Sequence, residues 1–181
     1  TIPFSESHGF IADVDDTDEG GIDFPFAVTV HEVAHQWWAH QVIGAKVAGA
    51  RMLTESVAEY VRLKALEKHY GSRKMRKFLK YALDHYLSGR SNETSGESPL
   101  LFDSGQNYVH YSKGALVFYA LSDFIGEENL NKALRDFLEQ YQFKGPPYAT
   151  SIELLKHIKK ATPDELKYII KDLFETITFY E

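Results

Sequence analysis

The chain has 181 residues, 44% of them hydrophobic and 14% aromatic, enough to bury one core of single-domain size. Its formal net charge of −6 argues against a nucleic-acid partner, because displacing counterions from phosphates needs a concentrated basic face. It has no cysteine, so disulfides, thiolate nucleophiles and Cys-type zinc sites are excluded together, and any metal must be held by histidine and carboxylate.

No run of about 18 apolar residues occurs, so no membrane-spanning helix is expected, and the start lacks the basic-then-apolar layout of a signal peptide. The chain opens on Thr1-Ile2-Pro3-Phe4 and closes on Ile177-Thr178-Phe179-Tyr180, without polar ends. It therefore reads as one domain, residues 1–181, cut from a longer protein and soluble as a piece. The acidic run from Asp13 to Gly21 predicts an exposed loop. It is not an EF-hand loop, which needs glycine at its sixth position and glutamate at its twelfth.

Helical spacing of apolar residues predicts a first helix from Ala27 to Ile43, stopped by Gly44, and a second from Leu53 to Tyr70, closed by Gly71. A third is expected over Arg73–Leu87, followed by a polar loop from Ser88 to Ser98. Helices then follow at Tyr108–Ile125, Glu128–Tyr141, Ser151–Ala161 and Pro163–Glu175. In the last, Thr162 is read as the cap, Pro163 as the first helical position and Glu165 as the partner in a capping box. The expected fold is mainly α, with minor extended segments near the ends.

The string His31-Glu32-Val33-Ala34-His35 falls inside the first predicted helix, so its two histidines lie one turn apart on one face. That is the geometry two zinc ligands need. Hydrolytic zinc sites use three protein ligands and leave the fourth position to water, whose proton a neighbouring carboxylate can accept, and Glu32 is placed for that task. For the third ligand the second helix offers Glu55 and Glu59, one turn apart. Glu55 is nearest the connecting loop, and the nineteen residues between it and His35 allow the chain to turn and return antiparallel. Glu59 would lie one turn deeper, where it could accept a hydrogen bond from the remote nitrogen of a ligand histidine or could simply be a solvated carboxylate. His40, His69, His85 and His157 read as surface or packing residues, and Trp37 and Trp38 as core. His110 is a candidate to touch substrate.

At His31-Glu-Val-Ala-His-Gln-Trp-Trp38 the chain resembles the M1 aminopeptidases, whose zinc helix commonly reads HExxHQW and whose glutamate ligand follows on the next helix. The family usually places one residue fewer before that glutamate; the longer spacing is also found in thermolysin-like endopeptidases. Pro3-Phe-Ser-Glu-Ser-His-Gly-Phe10 resembles the family's GAMEN-x-G-L segment in layout, which implies that Glu6 grips the free amine of the substrate. Tyr111-Ser-Lys-Gly114 resembles the family's YxKG, which implies that Tyr111 donates a hydrogen bond to the tetrahedral intermediate. The wording HQWWAHQVIGA is similar to a bacterial variant joined to permease-like membrane segments, implying a parent protein attached at the membrane.

The expectation is therefore a thermolysin-like, mainly helical catalytic domain with one zinc ion held by His31, His35 and Glu55. It would act on a peptide substrate, with Glu32 and Tyr111 as catalytic residues and Glu6 binding substrate. Two rivals are a thermolysin-like endopeptidase, which has no use for Glu6, and a non-catalytic, zinc-stabilised domain that binds a peptide or senses one, which needs neither Glu32 nor Tyr111.

Overall fold

A computed structural model describes residues 5–7, 11–15, 18 and 21–177. Among these residues the structure is helical, with no strands and two isolated bridges, Trp38 to Val42 and Gly44 to Ala149. Helix α1 covers Phe24–Ala34, α2 Val57–Tyr70, α3 Met75–Ser91 and α4 Gly114–Ile125. They are followed by α5 at Glu127–Tyr141, α6 at Ser151–Ala161 and the short α7 at Lys167–Ile170. Two π-helical turns, Met52–Ser56 and Tyr108–Lys113, run directly into α2 and α4. A third, Lys171–Glu175, extends α7.

Helix α1 starts where its sequence dictates. The Asp23 side chain accepts from the Phe26 amide at 2.9 Å, and Pro25 sits in the first turn, where its missing N–H costs nothing. The other Asp23 oxygen takes the Tyr70 hydroxyl at 2.5 Å, tying the start of α1 to the end of α2. The inward stripe of α1 is Ala27, His31 and Ala34. Two alanines let the helix lie close on α2 and carry the histidine between them straight into the contact.

The first helix ends at Ala34, not at Ile43 as its periodicity predicts. Beyond it the amides bond unevenly, Trp38 to Ala34, His40 to His35 and Val42 to Trp37, and Ala39 turns to a φ of 136°, which no α-helix accepts. These wider turns still bring Ala34, Trp38 and Val42 inward, so the four-residue apolar spacing persists without the helix. Trp37, expected in the core, is instead 43% exposed.

The core is assembled around α4, whose Val117, Phe118, Leu121 and Ile125 are buried. The α5–α6 pair closes one side through Leu130, Ala133 and Phe137 against Leu154 and Ile158, and Trp38 stacks on Phe137 at 6.3 Å. A smaller cluster joins Ala27 of α1 to Leu63, Leu66, Met75, Phe78, Ala115 and Tyr119. Helix α6 begins with a capping box between Thr150 and Glu153. The box expected at Thr162 does not form: its hydroxyl donates back to the Ile158 carbonyl at 2.8 Å, and Pro163 stays extended at ψ 145°, so a 3-10 turn starts at Asp164.

Candidate functional site

Three side chains from two elements converge beside α1. His31 Nε2 and His35 Nε2 lie 3.1 Å apart, and Glu55 Oε2 is 3.4 Å from the first and 3.5 Å from the second. His35 is the C-cap of α1 but keeps right-handed helical torsions, so it remains one turn from His31. Glu55 comes from the π turn ahead of α2, where its other oxygen accepts from the Thr54 hydroxyl at 3.3 Å.

The remote nitrogens show why the two rings face inward. His35 Nδ1 donates to the Trp38 carbonyl at 2.9 Å, which leaves Nε2 as the lone-pair nitrogen. His31 Nδ1 is 2.9 Å from Glu59 Oε1 in a bent contact, charge-assisted rather than an aligned hydrogen bond. Glu59 is in turn paired with Arg62 one turn along α2, and it is buried. Of the two readings for Glu59, the outer partner of a histidine is therefore the observed geometry. Arg62 carries no sequence signal beyond its spacing from Glu59.

The donor set fits a small tetrahedral cation. Bond lengths of about 2.0–2.2 Å at tetrahedral angles put ligand atoms about 3.3–3.6 Å apart, close to the observed triangle. Two neutral imidazoles and a carboxylate are also the chemistry zinc favours in hydrolytic sites. Without a metal, burial disfavours a charged His31, yet the Glu55 and Glu59 carboxylates outweigh that cost and lift it to about 9. Burial would likewise raise the Glu55 carboxyl, but His31, His35 and Tyr111 hold it far below the usual carboxylate range. The same negative pocket that attracts protons is what a divalent cation would neutralise.

Glu32 follows His31 on α1 and is half-buried, with a ligand-capable oxygen within 4.8 Å of those of His31 and His35. Glu55 is the better third donor, because one of its oxygens lies 3.4 and 3.5 Å from the two imidazole nitrogens. Tyr111 sits on the π turn ahead of α4, with its ring centroid 5.9 Å from that of His31. Burial and the neighbouring Glu55 carboxylate push its hydroxyl well above the ordinary tyrosine range, so it stays a donor at neutral pH.

What brings Tyr111 to Glu55 is Gly114. A Cβ built there would lie 2.3 Å from Ser56 Oγ and 2.6 Å from Ser56 Cβ, so only glycine lets the two π turns touch. Ser56 Oγ then donates to the His110 carbonyl at 2.7 Å. Lys113, buried, pairs with Glu97, whose carboxylate also takes the Tyr86 hydroxyl at 2.9 Å. Glu97 lies in the stretch read as a polar loop, although its side chain is 3% exposed.

His110 is fully buried with Nδ1 2.9 Å from Asp103 Oδ2, which removes it as a substrate-touching residue. Glu6 is exposed and is not brought to the triangle by any hydrogen bond or ion pair among the described residues. Most of the surrounding Pro3–Phe10 segment lies outside the described residues.

A helix pair presenting two histidines and a carboxylate to one point defines a metallopeptidase-type scaffold. The Peptidase family M1 domain matches residues 9–175, and the chain belongs to that family. It is 30% identical over 148 residues to aminopeptidase N of Mus musculus, covering 74% of this chain and 14% of that protein. Endoplasmic reticulum aminopeptidase 2 of Homo sapiens is 28% identical over 123 residues, covering 65% of this chain and 13% of the other. The chain thus spans a small part of the length of these relatives. An M1 zinc metallopeptidase from Deinococcus radiodurans shares the fold, with a TM-score of 0.64 at 23% identity over 86% of this chain and 34% of that one. No helix of the described residues is long and apolar enough to cross a membrane.

Proposed function

We propose that residues 1–181 are one catalytic domain of a zinc-dependent aminopeptidase that removes N-terminal residues from peptides. The observation that carries this reading is the triangle of His31 Nε2, His35 Nε2 and Glu55 Oε2, with sides of 3.1, 3.4 and 3.5 Å. These three residues would hold one zinc ion, which supplies a Lewis acid for the scissile carbonyl and lowers the pKa of water. Glu32 takes the proton of the attacking water on its carboxylate and returns it to the leaving amine. The Tyr111 hydroxyl, kept protonated by its surroundings, donates to the carbonyl oxygen as negative charge develops there. Glu59 and Arg62 fix the His31 ring, and the Trp38 carbonyl fixes that of His35. Glu6 pairs with the ammonium of a free N-terminus, a role supported by the layout of its segment and its order in the chain.

The reading extends to a parent protein attached at a bacterial membrane, which fractionation of cells producing the full-length protein would test. The central experiment is elemental analysis of the protein beside His35→Ala and Glu55→Ala. About one zinc per chain is expected in the parent sequence and little in either variant. Hydrolysis of free but not N-acetylated peptides, lost in Glu32→Gln with zinc retained, is expected next. Cleavage of acetylated peptides at equal rate would turn the reading to an endopeptidase. Zinc retention in both ligand variants would overturn the assigned site.

A further inference from the structure

A shallow hollow of about 500 Å³ is lined by Lys46, Val47, Ala50, Arg51, Asp103 and Ser104 among others, none of them a member of the triangle. Two structural links tie it to the site. Arg51 caps the π turn that carries Glu55, four residues on, so both project from one side of that turn. Asp103, on the opposite wall, bonds His110, whose ring packs 4.6 Å from that of Tyr111.

The wall is rigid. Gly49 adopts a φ of 82°, an added Cβ would fall 2.0 Å from the Leu101 carbonyl oxygen, and its amide donates to the Asp103 carbonyl at 2.9 Å. Lys46 and Arg51 are therefore carried on a loop pinned at its centre.

The charge in the hollow is unbalanced. The Asp103 carboxylate is occupied, accepting from His110 Nδ1 and from the Gln106 amide, each at 2.9 Å. Lys46 and Arg51 are exposed and form no ion pair with a carboxylate among the described residues. On a chain of net charge −6, two exposed cations against one buried carboxylate leave this cavity a locally anion-attracting surface. The Arg51 charge is also felt at the Tyr111 hydroxyl, where it opposes the effect of the Glu55 carboxylate.

We propose that this hollow takes a carboxylate of the peptide substrate, Arg51 binding it as a planar fork and Lys46 as a point charge. The inference rests on the peptidase reading and adds a substrate class to it: peptides whose terminal carboxylate or acidic side chain falls near the scissile bond.

The test is peptide affinity, by competition anisotropy on zinc-loaded protein carrying Glu32→Gln, so that binding is read without turnover. Leu-Ala-Ala as the free acid is compared with its amide, and Leu-Ala-Glu-amide with Leu-Ala-Gln-amide. A carboxylate preference of about five-fold in at least one pair is expected from two exposed ion pairs. The pair that shows it distinguishes the terminal from the side-chain source. That preference should fall toward one in the Arg51→Gln, Lys46→Gln double variant and in 0.5 M salt, about where the Debye length shrinks below the contact scale. Melting temperatures confirm that the variants, altered at exposed positions, stay folded. Equal affinities within both pairs, or a preference that survives the double substitution, would overturn the proposal. Failure of the peptidase reading would show separately, as absence of hydrolysis in protein with Glu32 intact whatever the affinities.

Discussion

Replacing Gly114 by alanine should separate the two halves of the site. The new methyl would sit 2.3 Å from Ser56 Oγ and 2.6 Å from Ser56 Cβ, and 3.3 Å from Ser56 Cα, which belongs to the backbone. Rotating the serine away relieves the first contact only and gives up its buried bond to the His110 carbonyl, a loss of about 1 kcal/mol. The second contact needs the π turns to part by about 1 Å before carbon atoms reach normal separation. Overpacking of this kind costs about 1–3 kcal/mol, and at this chain length that lowers Tm by roughly 3–10 °C. Because Tyr111 rides on one turn and Glu55 on the other, kcat should fall by about 10- to 100-fold with a smaller change in KM. Calorimetry and steady-state kinetics on Gly114→Ala, Ser56→Gly and the double variant form a cycle. Ser56→Gly removes both offending atoms, so the double variant should recover part of the loss although glycine itself costs about 1 kcal/mol in a helix. Wild-type Tm and kcat in Gly114→Ala, or no coupling in the cycle, would refute the close-approach argument.

Glu59→Ala removes the carboxylate behind His31, and zinc affinity measured by competition with a chelator should weaken by about 10- to 100-fold; an unchanged affinity would leave Glu59 a bystander. Glu97→Ala leaves the Lys113 ammonium buried without its partner, and urea unfolding should show a loss of about 3–5 kcal/mol, with a loss under about 1 kcal/mol counting against it. Burial would raise the Glu67 carboxyl, but Lys64 and the Tyr119 hydroxyl prevail and hold it below its ordinary value. A depressed carboxyl adds stability above its unfolded pKa and loses it as pH falls through the folded one. The acid limb of a stability profile should therefore flatten below about pH 4 in Glu67→Gln, by less than about 1 kcal/mol because the group is largely solvated.

Elements whose burial follows one period were legible in advance. The α5 stripe Leu130, Ala133, Leu134, Phe137 predicts Glu128–Tyr141 against an observed Glu127–Tyr141, and α6 agrees at both ends. The pairing of His31 with His35 was legible for the same reason, since a spacing of four on a helix is a statement about one face. Where α1 stops was not, because the wide turns after Ala34 bury Trp38 and Val42 at the same four-residue interval that a helix would. The π turns were likewise invisible, since widening a helical turn changes which carbonyls are free without changing the apolar pattern. Glu97 was missed because a polar stretch reads as solvated until its tertiary partner is known. Thr162 misled because a hydroxyl between two helices can bond backward as well as forward, and here the Ile158 carbonyl claims it.

The triangle is positioned less by apolar packing than by buried charge. Three carboxylates, each almost wholly removed from solvent, hold one element apiece: Glu59 the His31 ring, Glu97 the turn bearing Lys113, and Asp103 the ring of His110. Each accepts from groups on different segments, so each works only when those segments are in register. The Asp103 carboxylate joins Gln106 and His110 while its backbone carbonyl takes the Gly49 amide, and Glu97 joins Lys113, Tyr86 and Arg90. Apolar contacts tolerate sliding by a fraction of an ångström, whereas a hydrogen bond or close ion pair to a buried carboxylate loses strength steeply over the same distance. A site that must keep a phenol, a base and three metal-binding atoms within a few tenths of an ångström is better fixed by such bonds than by leucines. It follows that substitutions at Glu59, Glu97 and Asp103 should impair the chemistry more than core truncations of equal thermodynamic cost far from the π turns.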